Sequence, residues 1–285
     1  EISLGLVGSE MCIRDSWYPA TKQAYRTAKI LNFDITVFAP KGRGEAGTLE
    51  MVHFLKKVLE ERYDGICISP IADLRVEKLL QKMAEKGVEV IFILSAFDSV
   101  PYRTLIGTDS YQCGRSTGEA VREALGADGA VGIIKWKDNL IETVEDRYHG
   151  VVDVLKENRI PYYDMTGPGE PTAEEATKLT DRLLTEHPDI SVLCATNVGW
   201  GLAFARYLKS KGKKVKLVTV DFTDEVGEFM KAGYVDAAIA QRPESWGSMT
   251  LEKIEAVFEG QSIPKTIDTG TYPVTPANIR IYVKD

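Results

Sequence analysis

Four polar side chains of this 285-residue chain stand where apolar runs stop. "ISVLCATN" ends in Asn197, "VKLVTVD" in Asp221 and "VDAAIAQ" in Gln241, while "AVGIIKW" ends at Trp136 and leads through a loop to Arg147 in the first turns of a helix. A carboxylate, a guanidinium and two amides supply donors and acceptors in fixed directions. Each also has a plain structural role: Asn197 or Asp221 can cap a helix, and Arg147 can make a surface ion pair. Taken together, they lie at the carboxyl ends of strands, where open α/β sheets bind ligands. The group then forms a ring suited to a small hydroxyl-rich molecule, with Trp17, Trp136 and Trp200 as flat apolar surfaces nearby.

Other chemistries find less support. His53, His149 and His187 are far apart and lack HExxH spacing, so no metal site is expected. Cys67 and Cys194 lie in apolar strand-like runs and Cys113 opens a helix, which reads as buried thiols. There is no CxxC pattern or disulfide framework. "GRGEAG", Gly42–Gly47, matches GxGxxG, but Pro40 and Lys41 separate it from the preceding strand. No acid ends the next strand where a ribose-binding group belongs, so this segment is read as a flexible βα loop. Nucleophile elbow, P-loop and kinase motifs are absent, and acid pairs such as Glu60–Glu61 and Glu174–Glu175 fall on solvated helix faces. Neither catalysis nor a cofactor is indicated.

The elements that would position the ring alternate regularly. "DITVFAP" precedes the helix "TLEMVHFLKKVLEERY", and "GICISP" precedes "DLRVEKLLQKMAEKG", which a glycine at Gly87 ends. "VEVIFILSA" and "TLIGTD" lead into "SYQCGRSTGEAVREALG". A second series runs from "AVGIIKWK" through "ETVEDRYHGVVDVLKEN", "TAEEATKLTDRLLTEHP", "ISVLCATN", "GLAFARYLKSKG", "VKLVTVDF" and "VDAAIAQRP" to "ESWGSMTLEKIEAVFEG". Short, nearly continuous apolar strands between amphipathic helices predict parallel sheets covered on both faces. Two such series predict two doubly wound α/β lobes. A hydrophobic content of 44% with 27% charged residues is ordinary for a globular chain, and a net charge of −7 gives no basic footprint for nucleic acid.

The first sixteen residues stand apart. "LVGSEMCIRDS", Leu6–Ser16, is the translation of transposon-end and adapter bases used in tagmentation sequencing libraries, and "EISLG" fits the bases upstream of them. Glu1–Ser16 is therefore read as foreign, with the native chain starting near Trp17. Any targeting segment or DNA-binding headpiece would lie upstream of Trp17. "ISLGLVG" is nevertheless apolar enough to fill the slot of a first strand.

From Trp17 onward the chain resembles the sugar-type periplasmic binding proteins, the ribose/galactose group of ABC-transporter solute receptors. "DRYHGVVDVLK" resembles the family's Arg-x-x-Gly helix start, which implies a ligand-clamping role for Arg147. "CATNVGWGLAFA" matches at Asn197, with Val198 in place of the usual acid. "VTVDFTDEV" places Asp221 at the ligand aspartate, and "AAIAQRPESWG" places Gln241 at the ligand glutamine. "GTDSYQCG" resembles a crossover between lobes and "TYPVTPANI" the C-terminal segment. Trp17 stands for the aromatic loop after the first strand. The acid expected after the fourth strand is replaced by Ser95, with Asp98 three residues on.

The resemblance implies a type I periplasmic-binding-protein fold. Residues 17–108 with 243–266 would form the N-terminal lobe, and 109–242 with 267–285 the C-terminal lobe, joined by a hinge. It also implies a non-enzymatic receptor that closes over a sugar or polyol in an interlobe cleft and presents it to an ABC permease or membrane sensor. Such a receptor would work as a monomer, without cofactor, in the periplasm or lipid-anchored at the cell surface. The alternative is the effector domain of a lactose-repressor-type regulator, which shares this fold and ligand cleft.

Overall fold

The computed structural model describes residues 2–7, 17–42, 44–126, 128–136, 142–169 and 171–282. In chain order the elements begin with β1 (Ile2–Val7), α1 (Trp17–Leu31), β2 (Phe33–Phe38), α2 (Glu45–Glu61), β3 (Gly65–Ile68), α3 (Leu74–Glu85), β4 (Glu89–Ile93) and β5 (Thr104–Gly107). Next come α4 (Ser110–Leu125), β6 (Ala130–Trp136), α5 (Glu142–Glu157), β7 (Tyr162–Gly167), α6 (Ala173–Glu186), β8 (Ile190–Ala195) and α7 (Val198–Lys211). The chain closes with β9 (Lys216–Val220), α8 (Asp224–Lys231), β10 (Ala237–Ala240), α9 (Pro243–Phe258), β11 (Thr266–Asp268) and β12 (Tyr272–Val274).

Two compact units result, residues 1–108 with 242–269 and residues 109–241 with 270–285. The sheet of the first unit runs β11-β5-β4-β3-β1-β2 and that of the second β12-β10-β9-β8-β6-β7. Every described pairing is parallel except that of β12 with β10. β11 pairs with β5 through Asp268, so the return to the second unit falls at Thr269 and Gly270, three residues later than the sequence suggests.

The central strands are buried along their length, as strands covered by helices on both faces must be. In the first unit one core packs Phe54, Leu55, Val76 and Leu80 of α2 and α3 under the sheet. The other packs Ala20, Ala24, Leu251 and Ile254 of α1 and α9 against its opposite face. β1 sits between β2 and β3; a short apolar run is all that this central slot requires. Cys67, Cys113 and Cys194 are buried and form no disulfide, and burial pushes the Cys67 and Cys194 thiols up to about 12. Cys12 lies outside the described residues.

One strand escapes the sequence pattern. β7 is an edge strand with β6 as its neighbour, and of its six residues Gly167 alone is fully buried. "YYDMTG" is therefore not the continuous apolar run that marks a central strand. Among the described residues no helix is long and apolar enough to cross a membrane.

The "GRGEAG" loop departs from the flexible, substitution-tolerant connection expected. Glu50, one turn into α2, accepts from the Lys41 and Gly42 backbone N–H groups at 2.7 and 3.2 Å. A carboxylate of the chain itself thus occupies donors that a phosphate would need. Gly44 precedes α2 with φ 58° and ψ −132°, a conformation essentially reserved for glycine. Gly44→Ala is expected to lower stability by about 1–3 kcal/mol, read as a drop in melting temperature. NAD or ATP at millimolar concentration should leave both melting curves in place; a nucleotide-dependent rise would show that the loop does bind phosphates.

Candidate functional site

The site is built at the carboxyl ends of β6, β8, β9 and β10 in the second unit. Arg147 comes first, because its position depends on how closely α5 packs on α4. A Cβ at Gly114 of α4 would lie 2.2 Å from the Arg147 carbonyl oxygen, and one at Gly150 of α5 2.2 Å from that of Tyr111. Both distances are shorter than any real contact, so two glycines let the helix backbones touch. Polar pairs flank this seam: the Tyr111 hydroxyl donates to Asp153 at 2.9 Å, and Arg115 donates twice to Glu157 at 2.9 and 2.8 Å. Arg147 is thereby held with its side chain 7% exposed, Nη1 donating to the Thr196 carbonyl at 3.4 Å. Its Nε has no hydrogen-bond partner among the described residues. Asp146, next to it, has its carboxyl pushed up, chiefly by burial.

Asn197 follows Thr196 directly. Its Oδ1 accepts from the Trp200 backbone N–H at 3.0 Å and caps α7, as its plain structural reading anticipates. Its Nδ2 is buried with no partner among the described residues. The cap fixes the amide, so the direction of its donor end is set by the same bond. Thr219 of β9 donates to the Asn197 carbonyl at 3.4 Å and ties this turn to the next strand end.

Asp221 is not a cap; Thr223 takes that role at the start of α8. Asp221 sits just past β9 in a left-handed conformation, φ 70°, with its N–H donating to the Ile239 carbonyl at 2.9 Å. Aspartate tolerates this region better than most residues, and non-glycine outliers of this kind cluster at functional sites. Its Oδ1 accepts from Gln241 Nε2 at 2.6 Å, while Gln241 Oε1 is buried without a partner among the described residues. The amide of Gln241 is thus oriented by the carboxylate, which leaves its acceptor end turned away from that bond.

Trp136 ends β6. It is 8% exposed, its ring lies 3.0 Å from where a Cβ at Gly169 would stand, and its Nε1 also has no partner among the described residues. Trp200, grouped with the aromatic surfaces by sequence, is instead a core residue: it is 1% exposed, packs on Phe204 and donates to the Pro168 carbonyl at 3.0 Å. An apolar residue three positions into α7 points under the helix, so a core role prevails there.

The remaining two sequence-predicted residues belong to the first unit. Trp17 opens α1, and its side chain lies outside the described residues. Asp98 is exposed, in a turn whose next residue, Ser99, bonds to Gln81 and Glu77 of α3. The structure therefore brings Trp136, Arg147, Asn197, Asp221 and Gln241 together and leaves Asp98 on a turn tied to α3. Sequence reasoning missed Thr196 and Thr219, whose carbonyl and hydroxyl link the ring; threonine in a strand reads as ordinary packing.

Chemically the arrangement offers donors from indole, guanidinium and amide, and acceptors from carboxylate and amide. Among the described residues it holds no nucleophile hydrogen-bonded to a base. No group of three His, Cys, Asp or Glu able to hold a metal occurs among the described residues.

Comparison with known proteins agrees with this architecture. A family model described as periplasmic binding protein domain matches residues 13–262, and the chain belongs to that family. The ribose import binding protein RbsB of Bacillus subtilis (strain 168) is 21% identical over 220 residues, 75% of this chain and 69% of that protein. Among solved structures, an ABC transporter solute binding protein from Burkholderia graminis C4D1M, in complex with D-arabinose, aligns with a TM-score of 0.86 at 22% identity. That alignment covers 100% of this chain and 98% of that one. A putative LacI transcriptional regulator from Bacteroides fragilis aligns with a TM-score of 0.80 at 18% identity, covering 99% and 100%. Structural likeness at these identities establishes the fold.

Proposed function

We propose that this chain is an extracytoplasmic, non-enzymatic receptor that binds a small sugar or polyol and delivers it to an ABC permease or a membrane sensor. One observation carries the reading. Trp136 Nε1, Arg147 Nε, Asn197 Nδ2 and Gln241 Oε1, all buried and without partners among the described residues, gather at adjacent strand ends beside the Asp221 carboxylate. Buried polar atoms left unpaired cost stability unless something supplies the missing bonds. Hydroxyl groups do so well, since each donates and accepts. A polyhydroxylated ring bonded along its edge and resting on Trp136 fits this set.

The curated relatives of the family, such as the Bacillus subtilis ribose import binding protein, support transport as the setting. The periplasmic description of the family supports an extracytoplasmic location, in the periplasm or at the cell surface, where we propose that the receptor acts as a monomer. The effector-domain alternative draws on the Bacteroides fragilis likeness, which carries the fold alone. Isothermal titration of the full chain against pentoses, hexoses and polyols, with amino acids as controls, tests the reading. One ligand per chain with a Kd below about 1 mM, roughly −4 kcal/mol, is expected from the sugar panel. Binding of an amino acid, or of nothing in the panel, would overturn it.

A further inference from the structure

Two members of the ring, Trp136 and Arg147, lie on either side of one βα connection, from the end of β6 into the first turns of α5. Successive side chains of β6 face opposite ways. Ile134 and Trp136 turn to the core that holds Trp200 and Phe204, whereas Val131 and Ile133 turn to the core beneath α4 and α5, with Tyr148 and Val151. Lys135 belongs by position to the second set, whose other members are apolar and buried. Its ammonium meets a carboxylate of α5: Nζ lies 2.9 Å from Glu145 Oε1. The same oxygen is 3.1 Å from His149 Nε2, one turn further along the helix. Lys135 Nζ also stands 4.9 Å from the centre of the Tyr148 ring, and the Tyr148 hydroxyl donates to Asp164 of β7, the neighbouring strand.

An aliphatic side chain would fill this place without the cost of drawing a charge out of water. What the lysine adds is direction. The Glu145 side chain is 19% exposed and that of Lys135 31%, so the pair is better shielded than a surface ion pair. It ties the strand residue before Trp136 to the helix turn before Arg147. Arg147 needs such support. Its one bond among the described residues, to the Thr196 carbonyl, is long at 3.4 Å, so the guanidinium is aimed mainly by where its backbone stands. The glycine seam sets that backbone against α4, and the Lys135–Glu145 pair sets it against β6.

Resting on the receptor reading above, we infer that Lys135 and Glu145 are a positioning pair for the sugar site, holding the Arg147 guanidinium at a fixed place relative to the Trp136 indole. The pair acts through Arg147 without touching the ligand. Its effect falls on affinity more than on stability, since both side chains keep part of their surface in water.

The test is isothermal titration of the full chain with the tightest-binding member of a panel of D-ribose, D-arabinose, D-galactose and D-mannitol. Glu145→Gln and Lys135→Met should each raise Kd about five- to tenfold. The double variant should lose no more than either alone, as two members of one unit do. In an Arg147→Ala background Glu145→Gln should change Kd by less than about twofold, because the group that the pair positions is gone. A purely structural role would still show there. Melting temperatures should fall by no more than about 4 °C, and Arg182→Gln, in an exposed ion pair on α6, should leave Kd unchanged. If Arg147→Ala weakens binding but neither pair variant does, the assignment of the pair falls while the receptor reading stands. The same holds if Glu145→Gln costs as much without Arg147 as with it. If no sugar of the panel binds, both fall.

Discussion

Asp221→Asn and Arg147→Ala are each expected to weaken sugar binding by at least about tenfold, equivalent to ~1.4 kcal/mol. Hydrogen bonds with one charged partner contribute about 1.5–3 kcal/mol, so losses up to about a hundredfold are in range. Asparagine keeps the shape and the left-handed backbone of Asp221 and can still accept from Gln241, so the variant removes charge and little else. Among the described residues Arg147 makes one long bond, to the Thr196 carbonyl, so its loss is expected to cost the fold little beyond the packing of its stem. Circular dichroism should report native structure in both. Titration should show a raised Kd, and the change in Trp136 fluorescence on binding should need more sugar. Glu174→Ala, on the exposed first turn of α6, is the control and should leave affinity unchanged. Unaltered affinity in both site variants would show that these strand ends do not form the site.

The second large effect is expected at a distance from the ligand. Gly114→Ala and Gly150→Ala each place a methyl group where the neighbouring helix backbone already stands, 2.2 Å from a carbonyl oxygen. Backbone cannot rotate away as a side chain can, so α4 and α5 must separate. Overpacking of this sort costs about 1–3 kcal/mol or somewhat more, and each kcal/mol lowers the melting temperature by roughly 2–4 °C at this domain size. The same separation carries Arg147 away from Thr196, so affinity should fall along with stability. Differential scanning calorimetry and titration on the same preparations would show both effects. A variant with unchanged melting temperature and affinity would mean that the seam is looser than these contacts require.

Much of this was legible in the chain alone. Continuous apolar runs such as "GICI", "VLCA" and "AAIA" alternating with amphipathic helices leave little choice but parallel sheets covered on both faces. The polar residues that end those runs stand where such sheets bind ligands, so Arg147, Asn197, Asp221 and Gln241 were identifiable as one group. Those readings depend on periodicity and on the punctuation of strand ends, which are local properties. β7 lacked that signal because an edge strand need not be apolar on both faces.

What the sequence could not determine was orientation. Asn197 was readable as a cap or as a ligand group; the tertiary structure makes it a cap through one end of its amide, which meets the Trp200 N–H, and leaves the other end buried and unpaired among the described residues. Trp136 and Trp200 are the same residue type near the same strand ends, yet one has an indole N–H unpaired among the described residues and the other is bonded and sealed in the core. The aim of Arg147 depends on glycines 33 and three residues away that let two helices touch. Residue type and spacing determine which elements form. Which way a side chain faces, and whether its polar atoms find partners, is decided by contacts between residues far apart in the chain.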